Sequence, residues 1–209
     1  MRSGALAGNR PLSAGMLAAL AAAAVLHLLL WQVSEPAILF NDFWKAYFPV
    51  AEHLWLDGLR EGWPSLEVGA GGFVNLPIVG WLFVPFAPFG EPGAAWVYLA
   101  VGAAGTVAAW HLLARHVAAG QGLVLAVLFL LNGPLINSLR EGNSTHLVLL
   151  ALAGGLLLWR SGRDFWAGVL FAVCGIIKLP LLLLGLYFLA RKRWTVVAGM
   201  VAATAGTGL

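Results

Sequence analysis

Residues 162–194 read GRDFWAGVLFAVCGIIKLPLLLLGLYFLARKRW, a strongly apolar stretch with basic residues at both ends. The tripeptide Lys-Leu-Pro at 178–180 interrupts it, and a proline inside a helix removes a hydrogen bond and breaks the helix. Lysines and arginines near helix ends stay on the cytoplasmic side of a membrane, so both ends of the stretch belong on one side. The pattern predicts a hairpin of two short helices, about 165–177 and about 180–190, that turns on the outer side. A single kinked span is the alternative, but it would leave the basic C-terminal end outside.

The whole chain has the composition of a membrane protein. Of its 209 residues, 61% are hydrophobic and 10% are charged, whereas about a quarter of the residues in soluble domains are charged. Several runs approach the ~20 apolar residues that cross a bilayer. The single cysteine, Cys174, lies inside such a run, which excludes a disulfide framework and a thiolate metal cluster. We therefore predict an all-α polytopic membrane protein that has no nucleic-acid partner.

The positive residues determine the predicted layout. Arg115, the pair Arg160 and Arg163, and the cluster at 191–193 are all assigned to the cytoplasmic side, as is the N-terminus. The last apolar run has no closing polar flank, so we expect a fragment that is truncated at its C-terminus. The prediction is a single transmembrane domain over 1–209, with an outer loop and interfacial helices at about 34–92 and helices at about 12–33, 93–114, 121–136, 146–159, 165–177, 180–190 and 194–209.

The outer loop contains FNDFWKAYFPVAEHLW, residues 40–55, where an aspartate stands among bulky aromatics. Asp42 stands where an amphipathic helix in the headgroup layer is predicted to begin, and Lys45 lies on that helix's polar face. Two interpretations of Asp42 remain open: an N-cap of this helix, or a general base that deprotonates a hydroxyl acceptor. Pro49 is expected to kink the helix. Its apolar face comprises Trp44, Tyr47, Phe48, Ala51, Leu54 and Trp55.

A proline-punctuated segment follows, GGFVNLPIVGWLFVPFAPFGEPG at residues 71–93. It is apolar, but Pro77, Pro85 and Pro88 interrupt it too often for a regular span. We predict a re-entrant or interfacial helix on the outer side, next to a cavity, because irregular backbone at this depth survives only beside protein or water. A proline-kinked span is the alternative.

The second outer polar cluster is NSLREGNSTH, residues 137–146. In a functional interpretation Arg140 binds a phosphate, while Asn143 and Ser144 bond sugar hydroxyls or phosphate oxygens. In the alternative, which spacing alone favours, Arg140 and Glu141 form an ordinary ion pair in a loop.

Lys178 is an ionisable residue within an apolar hairpin, which makes it a candidate for binding an anionic headgroup. The alternative is an anchor whose ammonium reaches the interface. No His, Asp or Glu cluster has metal-ligand spacing, and no phosphate-binding or dinucleotide glycine motif is present. No cofactor is predicted, and metal dependence stays open.

Four features together match a known family. They are the early aspartate in NDFWKAY, the segment NLPIVGWLFVPFAPFG, the element REGNSTHLVLLALA, and the glycine-rich helix that leads to Lys-x-Pro and a basic end. In their order and spacing they resemble the GT-C membrane glycosyltransferases. The resemblance is specifically to glycosyltransferase family 87, of the polyprenyl-phosphate-mannose-dependent mannosyltransferase type.

The resemblance implies an inverting hexosyltransferase, a mannosyltransferase in the leading case. It would take its sugar from a polyprenyl phosphate within the membrane lipids and pass it to a glycolipid, polysaccharide or protein. It implies that Asp42 is the catalytic base. It also implies a multi-pass protein of a bacterial inner (plasma) membrane, with the active face periplasmic or extracellular. The candidates for substrate binding are Arg140, Glu141, Asn143, Lys178, Lys45 and Tyr47; Arg140 and Lys178 are proposed on electrostatic grounds for the donor phosphate.

The chain also departs from the family pattern. Asn75-Leu76-Pro77 replaces a more aromatic opening, and Glu141 adds a carboxylate beside the expected phosphate site. Two other hypotheses remain: a transporter or flippase of lipid-linked sugars, and a non-catalytic membrane subunit. A transporter commonly shows paired repeats and broken helices at the bilayer midplane. Here no repeat is visible, and the polar residues gather towards the outer side.

Overall fold

The structure, a computed structural model, describes residues 39–56, 58 and 75–206. The predicted helix at about 12–33 lies outside these residues, as do parts of the predicted outer loop. All secondary structure in the described residues is helical, so the predicted all-α class is confirmed. The α-helices are α1 (Phe48–Leu56), α2 (Gly93–His116), α3 (Gly122–Leu130), α4 (Gly133–Glu141), α5 (Thr145–Arg160), α6 (Asp164–Ile177), α7 (Leu183–Ala190) and α8 (Trp194–Gly206).

Helix α2 is the one described helix that is by itself long and apolar enough to cross a membrane. Its 24 residues extend for about 36 Å, and the hydrocarbon core of a bilayer is about 30 Å thick. Helices α3 and α4 meet at an angle of 56° and together meet the same criterion as a broken span. Helices α5, α6 and α8 are apolar but shorter.

The structure corrects the single helix predicted over about 121–136, which is two helices, α3 and α4. Pro134 lacks the amide hydrogen that would continue a helix, and Asn132 starts a new one, since its Oδ1 accepts from Leu135 N at 3.0 Å. Helix α4 then runs to Glu141. The polar segment predicted as a loop is therefore largely helical.

The chain reverses direction at Lys178, between α6 and α7. Lys178 leaves the helical conformation, with φ −132° and ψ 90°, and a short 3₁₀ segment, Leu179–Leu182, leads into α7. The returning helix lies against α6, because the rings of Phe171 and Phe188 stack with centroids 5.2 Å apart. Proline at position 180 accounts for the break.

Helices α6 and α8 cross closely through two glycines. A Cβ on Gly168 would collide with the carbonyl of Val196, and a Cβ on Gly199 with the carbonyl of Phe165. Small residues permit such close approach of helices in membranes, where packing rather than the hydrophobic effect holds helices together. This crossing brings the first turns of α6 and α8 to the same end of the bundle.

That end carries the arginines and the lysine at or just after the ends of α5 and α7, and we call it the basic end: Arg160, Arg163, Arg191, Lys192 and Arg193. The rings of Trp159 in α5 and Phe188 in α7 meet there at 5.2 Å, which shows that both helices finish together. The opposite end is formed by the start of α2, the end of α4, the start of α5 and the end of α6.

The segment around α1 packs on this opposite end. Its chain forms a π turn at Phe43–Tyr47 before α1, directly ahead of Pro49, which cannot donate a hydrogen bond to the preceding turn. The predicted membrane-facing stripe needs correction: Tyr47, Phe48, Ala51 and Leu54 are buried against protein, whereas Trp55 is 55% exposed. The sequence pattern could not show that other aromatics cover this face.

Two 3₁₀ segments, Pro77–Leu82 and Val84–Phe89, cover the buried face of α1. Prolines interrupt α-helical hydrogen bonding here, so the backbone forms short 3₁₀ pieces. The ring of Phe83 stacks on Tyr47 with centroids 4.2 Å apart and lies 5.2 Å from Tyr98 of α2. This aromatic cluster fixes the segment carrying Asp42 to α2.

Candidate active site

The carboxylate of Asp42 is bound by an amide from the opposite side of the bundle end. Asn143 Nδ2 donates to Asp42 Oδ2 at 2.8 Å, across 101 residues of sequence. Asp42 itself has helical backbone angles, and its side chain makes no capping hydrogen bond. The N-cap interpretation is therefore wrong, and the half-buried carboxylate faces the polar cluster after α4.

The backbone of Asn143 is held rigidly where α4 ends. Gly142 adopts the left-handed conformation, with φ 71°, that turns the chain out of α4. Asn143 N then donates to Ser138 O at 2.8 Å. Its carbonyl accepts from Tyr98 Oη at 2.9 Å and from Ser138 Oγ at 3.2 Å. Both backbone polar groups of Asn143 are thus paired, which fixes the position from which its side chain extends.

The other end of the Asn143 amide binds a cation. Lys178 Nζ donates to Asn143 Oδ1 at 3.1 Å. Thr145 donates to the same oxygen through its backbone N at 3.2 Å and through Oγ1 at 3.1 Å. The amide orientation is therefore defined by three donors at the oxygen and a carboxylate at the nitrogen. One side chain connects an ammonium group to a carboxylate.

Lys178 reaches this position because α6 ends at Ile177, next to the start of α5. Burial lowers the pKa of the Lys178 ammonium, and the nearby Asp42 carboxylate acts in the opposite direction. An ammonium group has three hydrogens to donate, and Asn143 uses one of them. The half-buried side chain can therefore bind a further anionic group in the same place.

Tyr47 lies beside Asp42 on the wall formed by α1 and the 3₁₀ segments. Its hydroxyl accepts from Asn75 Nδ2 at 3.2 Å. Burial raises the pKa of Tyr47, and Asp42 adds to the shift, so the phenol is neutral at ordinary pH. Asn75, which replaces an expected aromatic residue, thus brings the proline-punctuated segment into the site.

The side chains of the other predicted site residues, Arg140, Glu141 and Lys45, take no part in the hydrogen bonds that link Asp42, Asn143 and Lys178. Arg140 and Glu141 form the last turn of α4, and Arg140 contributes its carbonyl, which accepts from Phe40 N at 2.7 Å. Among the described residues neither side chain makes an ion pair, so the predicted loop pair is not formed there. Lys45 is exposed.

Sequence reasoning missed three residues that hold Asn143 in place: Ser138, Tyr98 and Thr145. A tyrosine within an apolar helix needs a partner for its hydroxyl, and that signal was available for Tyr98. Thr145 follows Asn143 by two residues, the spacing of a turn in which an asparagine oxygen accepts from the backbone. Neither signal identifies Asn143 as the shared partner.

The polar groups of the site suit acid–base chemistry on an anionic substrate. They comprise the Asp42 carboxylate, the Lys178 ammonium and the neutral phenol of Tyr47. No group of three potential metal ligands from His, Cys, Asp and Glu occurs in the part of the chain that the structure describes.

Comparison with protein families identifies the kind of enzyme. The family model of Glycosyltransferase family 87 matches residues 73–209. The chain belongs to glycosyltransferase family 87. It is therefore a glycosyltransferase of the GT-C membrane type, which favours the enzyme over the transporter and the non-catalytic subunit. Curated proteins and solved structures gave no match. The matched region contains Asn143 and Lys178, whereas Asp42 precedes it.

Proposed function

We propose that this family 87 protein transfers a hexosyl unit, mannosyl in the leading case, from a polyprenyl-phosphate sugar to a hydroxyl acceptor. The acceptor is a glycolipid, a polysaccharide or a protein, and transfer takes place at the outer face of a bacterial inner membrane. The observation that supports this most directly is the Asn143 amide, which holds the Asp42 carboxylate on one side and the Lys178 ammonium on the other.

In the proposed reaction Asp42 is the general base. The acceptor hydroxyl gives its proton to the carboxylate while its oxygen forms a bond to the anomeric carbon of the sugar. The bond from that carbon to the phosphate oxygen breaks, and polyprenyl phosphate leaves with the electron pair. Because attack and departure occur on opposite faces of the sugar, the configuration inverts.

Lys178 is proposed to stabilise the departing phosphate. Negative charge grows on the phosphate oxygen as the bond breaks, and a cation already in place stabilises that charge without reorganising. The two ammonium hydrogens that Asn143 does not use are available for phosphate oxygens. Arg140 is proposed as a second phosphate contact, and the substrate-binding roles of Lys45, Tyr47 and Glu141 remain proposals.

The deciding experiment compares wild type with Asp42→Asn in membranes supplied with labelled polyprenyl-phosphate mannose. The substitution keeps the side-chain shape but removes the base, so transfer should fall by about 10²- to 10⁴-fold. Glu52→Gln is the matched control, since Glu52 is an exposed carboxylate on α1, and it should keep wild-type activity.

Two results would contradict the proposal. If Asp42→Asn and wild type had equal activity at equal membrane levels, Asp42 would not be the base, and another carboxylate would have that role. The donor assignment would be wrong if the wild-type protein transferred sugar from another donor but not from polyprenyl-phosphate mannose. The role of Asp42 would then be measured with the donor that is active.

A further inference from the structure

A cavity of about 570 Å³ opens at the basic end of the bundle. It lies between the last turn of α2, the last two turns of α5 and the start of α6. Its polar lining includes His116, Arg160 and Arg163, and its apolar wall includes Gly154, Leu157 and Leu170.

The cavity is charged at its opening and apolar inside, which matches the two parts of an amphiphilic molecule. Gly154 precedes Arg160 by six positions on α5, which places the apolar wall about 9 Å deeper in the bundle than the arginine. Leu170 packs closely against this wall because residue 154 lacks a side chain: a Cβ there would lie 3.2 Å from Leu170 Cδ1. Charge is thus found at the opening and hydrocarbon surface is found inside.

The two arginines have no carboxylate partner in the described part of the chain. Both are exposed, and the nearest acid in sequence, Asp164, begins α6 beside Arg163. Guanidinium groups bind phosphate through paired, charge-assisted hydrogen bonds. This opening therefore favours a phosphate-bearing anion over a zwitterion with a neutralising amine.

Exposed tryptophans place the opening at the level of lipid headgroups. Trp166 near the start of α6 is 60% exposed and Trp194 at the start of α8 is 63% exposed. Tryptophan is enriched where a membrane meets water. A phosphate at Arg160 and Arg163 would then lie at headgroup depth, with its acyl chains directed along α5 into the bilayer.

We propose that this cavity is a binding site for an anionic phospholipid, with the lipid phosphate on Arg160 and Arg163 and an acyl chain against Gly154, Leu157 and Leu170. The site is separate from that of the sugar donor. Helix α5 has Asn143 before its first turn and Arg160 at its end, and its 16 residues extend for about 24 Å. Basic pockets between transmembrane helices bind lipid headgroups by the same physics.

The test uses the intact protein in detergent and counts bound lipids by native mass spectrometry. Phosphatidylglycerol is compared with phosphatidylethanolamine of identical acyl chains, and glycerol 3-phosphate is added as a soluble competitor. Wild type should retain the anionic lipid several-fold more than the zwitterionic one. The variant Arg160→Gln/Arg163→Gln should lose that preference.

The matched control is Arg191→Gln/Arg193→Gln, which removes the same charge from the same end but outside the cavity lining, and it should keep the preference. As a second variant, Gly154→Leu should weaken binding of both lipids, because the leucine side chain would occupy space along the apolar wall of the cavity. Equal retention of the two lipids by wild type, equal loss in the control, or full displacement by glycerol 3-phosphate would each overturn the proposal.

Discussion

Asn143 donates to Asp42 and accepts from Lys178, so its amide sets the distance between the two charged groups. Replacing it with aspartate retains the shape but places a second carboxylate beside Asp42. Two carboxylates in contact share one proton, because both cannot be ionised at low cost. The base is then partly blocked, and Lys178 offsets only some of the repulsion.

For Asn143→Asp we therefore expect about 10- to 100-fold slower hexosyl transfer near neutral pH, with partial recovery as the pH rises and the shared proton is lost. Initial rates measured across pH test this. Asn137→Asp makes the same chemical change at an exposed position of α4 and should leave the profile unchanged. A profile for Asn143→Asp that superimposes on wild type would contradict a role for this amide.

The sequence identified Asp42 and Lys178 because a charge among apolar residues is costly and needs a reason. It could not show that they share a partner. Asn143 is 101 residues from Asp42 and 35 residues from Lys178, and no local pattern reports contacts at such distances. The sequence also offered a cap for Asp42, a plausible role that the backbone angles at that residue exclude.

At the scale of elements, the turn between α4 and α5 determines where Asn143 lies. Gly142 in this turn has φ +71°, and a Cβ there would lie 2.5 Å from Phe43 Cβ. Alanine at this position meets both backbone strain and a collision with the segment that carries Asp42. Gly162, after α5, provides a comparison, because its φ is +76° and a Cβ at that position would have no neighbour within 4 Å.

We expect Gly162→Ala to lower the free energy of unfolding by about 1–2 kcal/mol through left-handed strain alone. Gly142→Ala should cost about 1–3 kcal/mol more, since the overlap with Phe43 adds to the strain. It should also reduce sugar transfer, whereas Gly162→Ala should not. Unfolding curves in one detergent and transfer rates in membranes measure both effects. Equal stability losses in the two variants would show that the Phe43 contact is easily relieved.

A helix boundary could be predicted where the basic residues and a proline indicated the same position. The break at Lys178 followed from Pro180 and from basic residues at both ends of the stretch. The helix predicted over about 121–136 was wrong because its apolar run continues past Asn132, although Asn-Gly-Pro is a signal that starts a new helix. The stripe of α1 was assigned to lipid because an apolar face looks the same whether protein or lipid covers it.

At the scale of the whole molecule, the structure separates two chemically different ends along α2. Tyr98 near its start bonds Asn143, and His116 at its end lines the basic cavity. The roughly eighteen residues of helix between them extend for about 27 Å, close to the thickness of the hydrocarbon core. If α2 crosses the bilayer, the candidate active site and the basic end lie at opposite surfaces.

Cysteine labelling in intact cells tests the predicted orientation of these ends. The natural cysteine, Cys174, is fully buried, so the unmodified protein provides a low background. Glu52→Cys places an exposed thiol on α1, the helix that follows Asp42, and Arg191→Cys places one at the basic end. Because positive residues stay in the cytoplasm, a membrane-impermeant maleimide should label position 52 in intact cells and position 191 only after permeabilisation. The reverse pattern would put Asp42 on the cytoplasmic side, where a donor in the outer leaflet could not reach it.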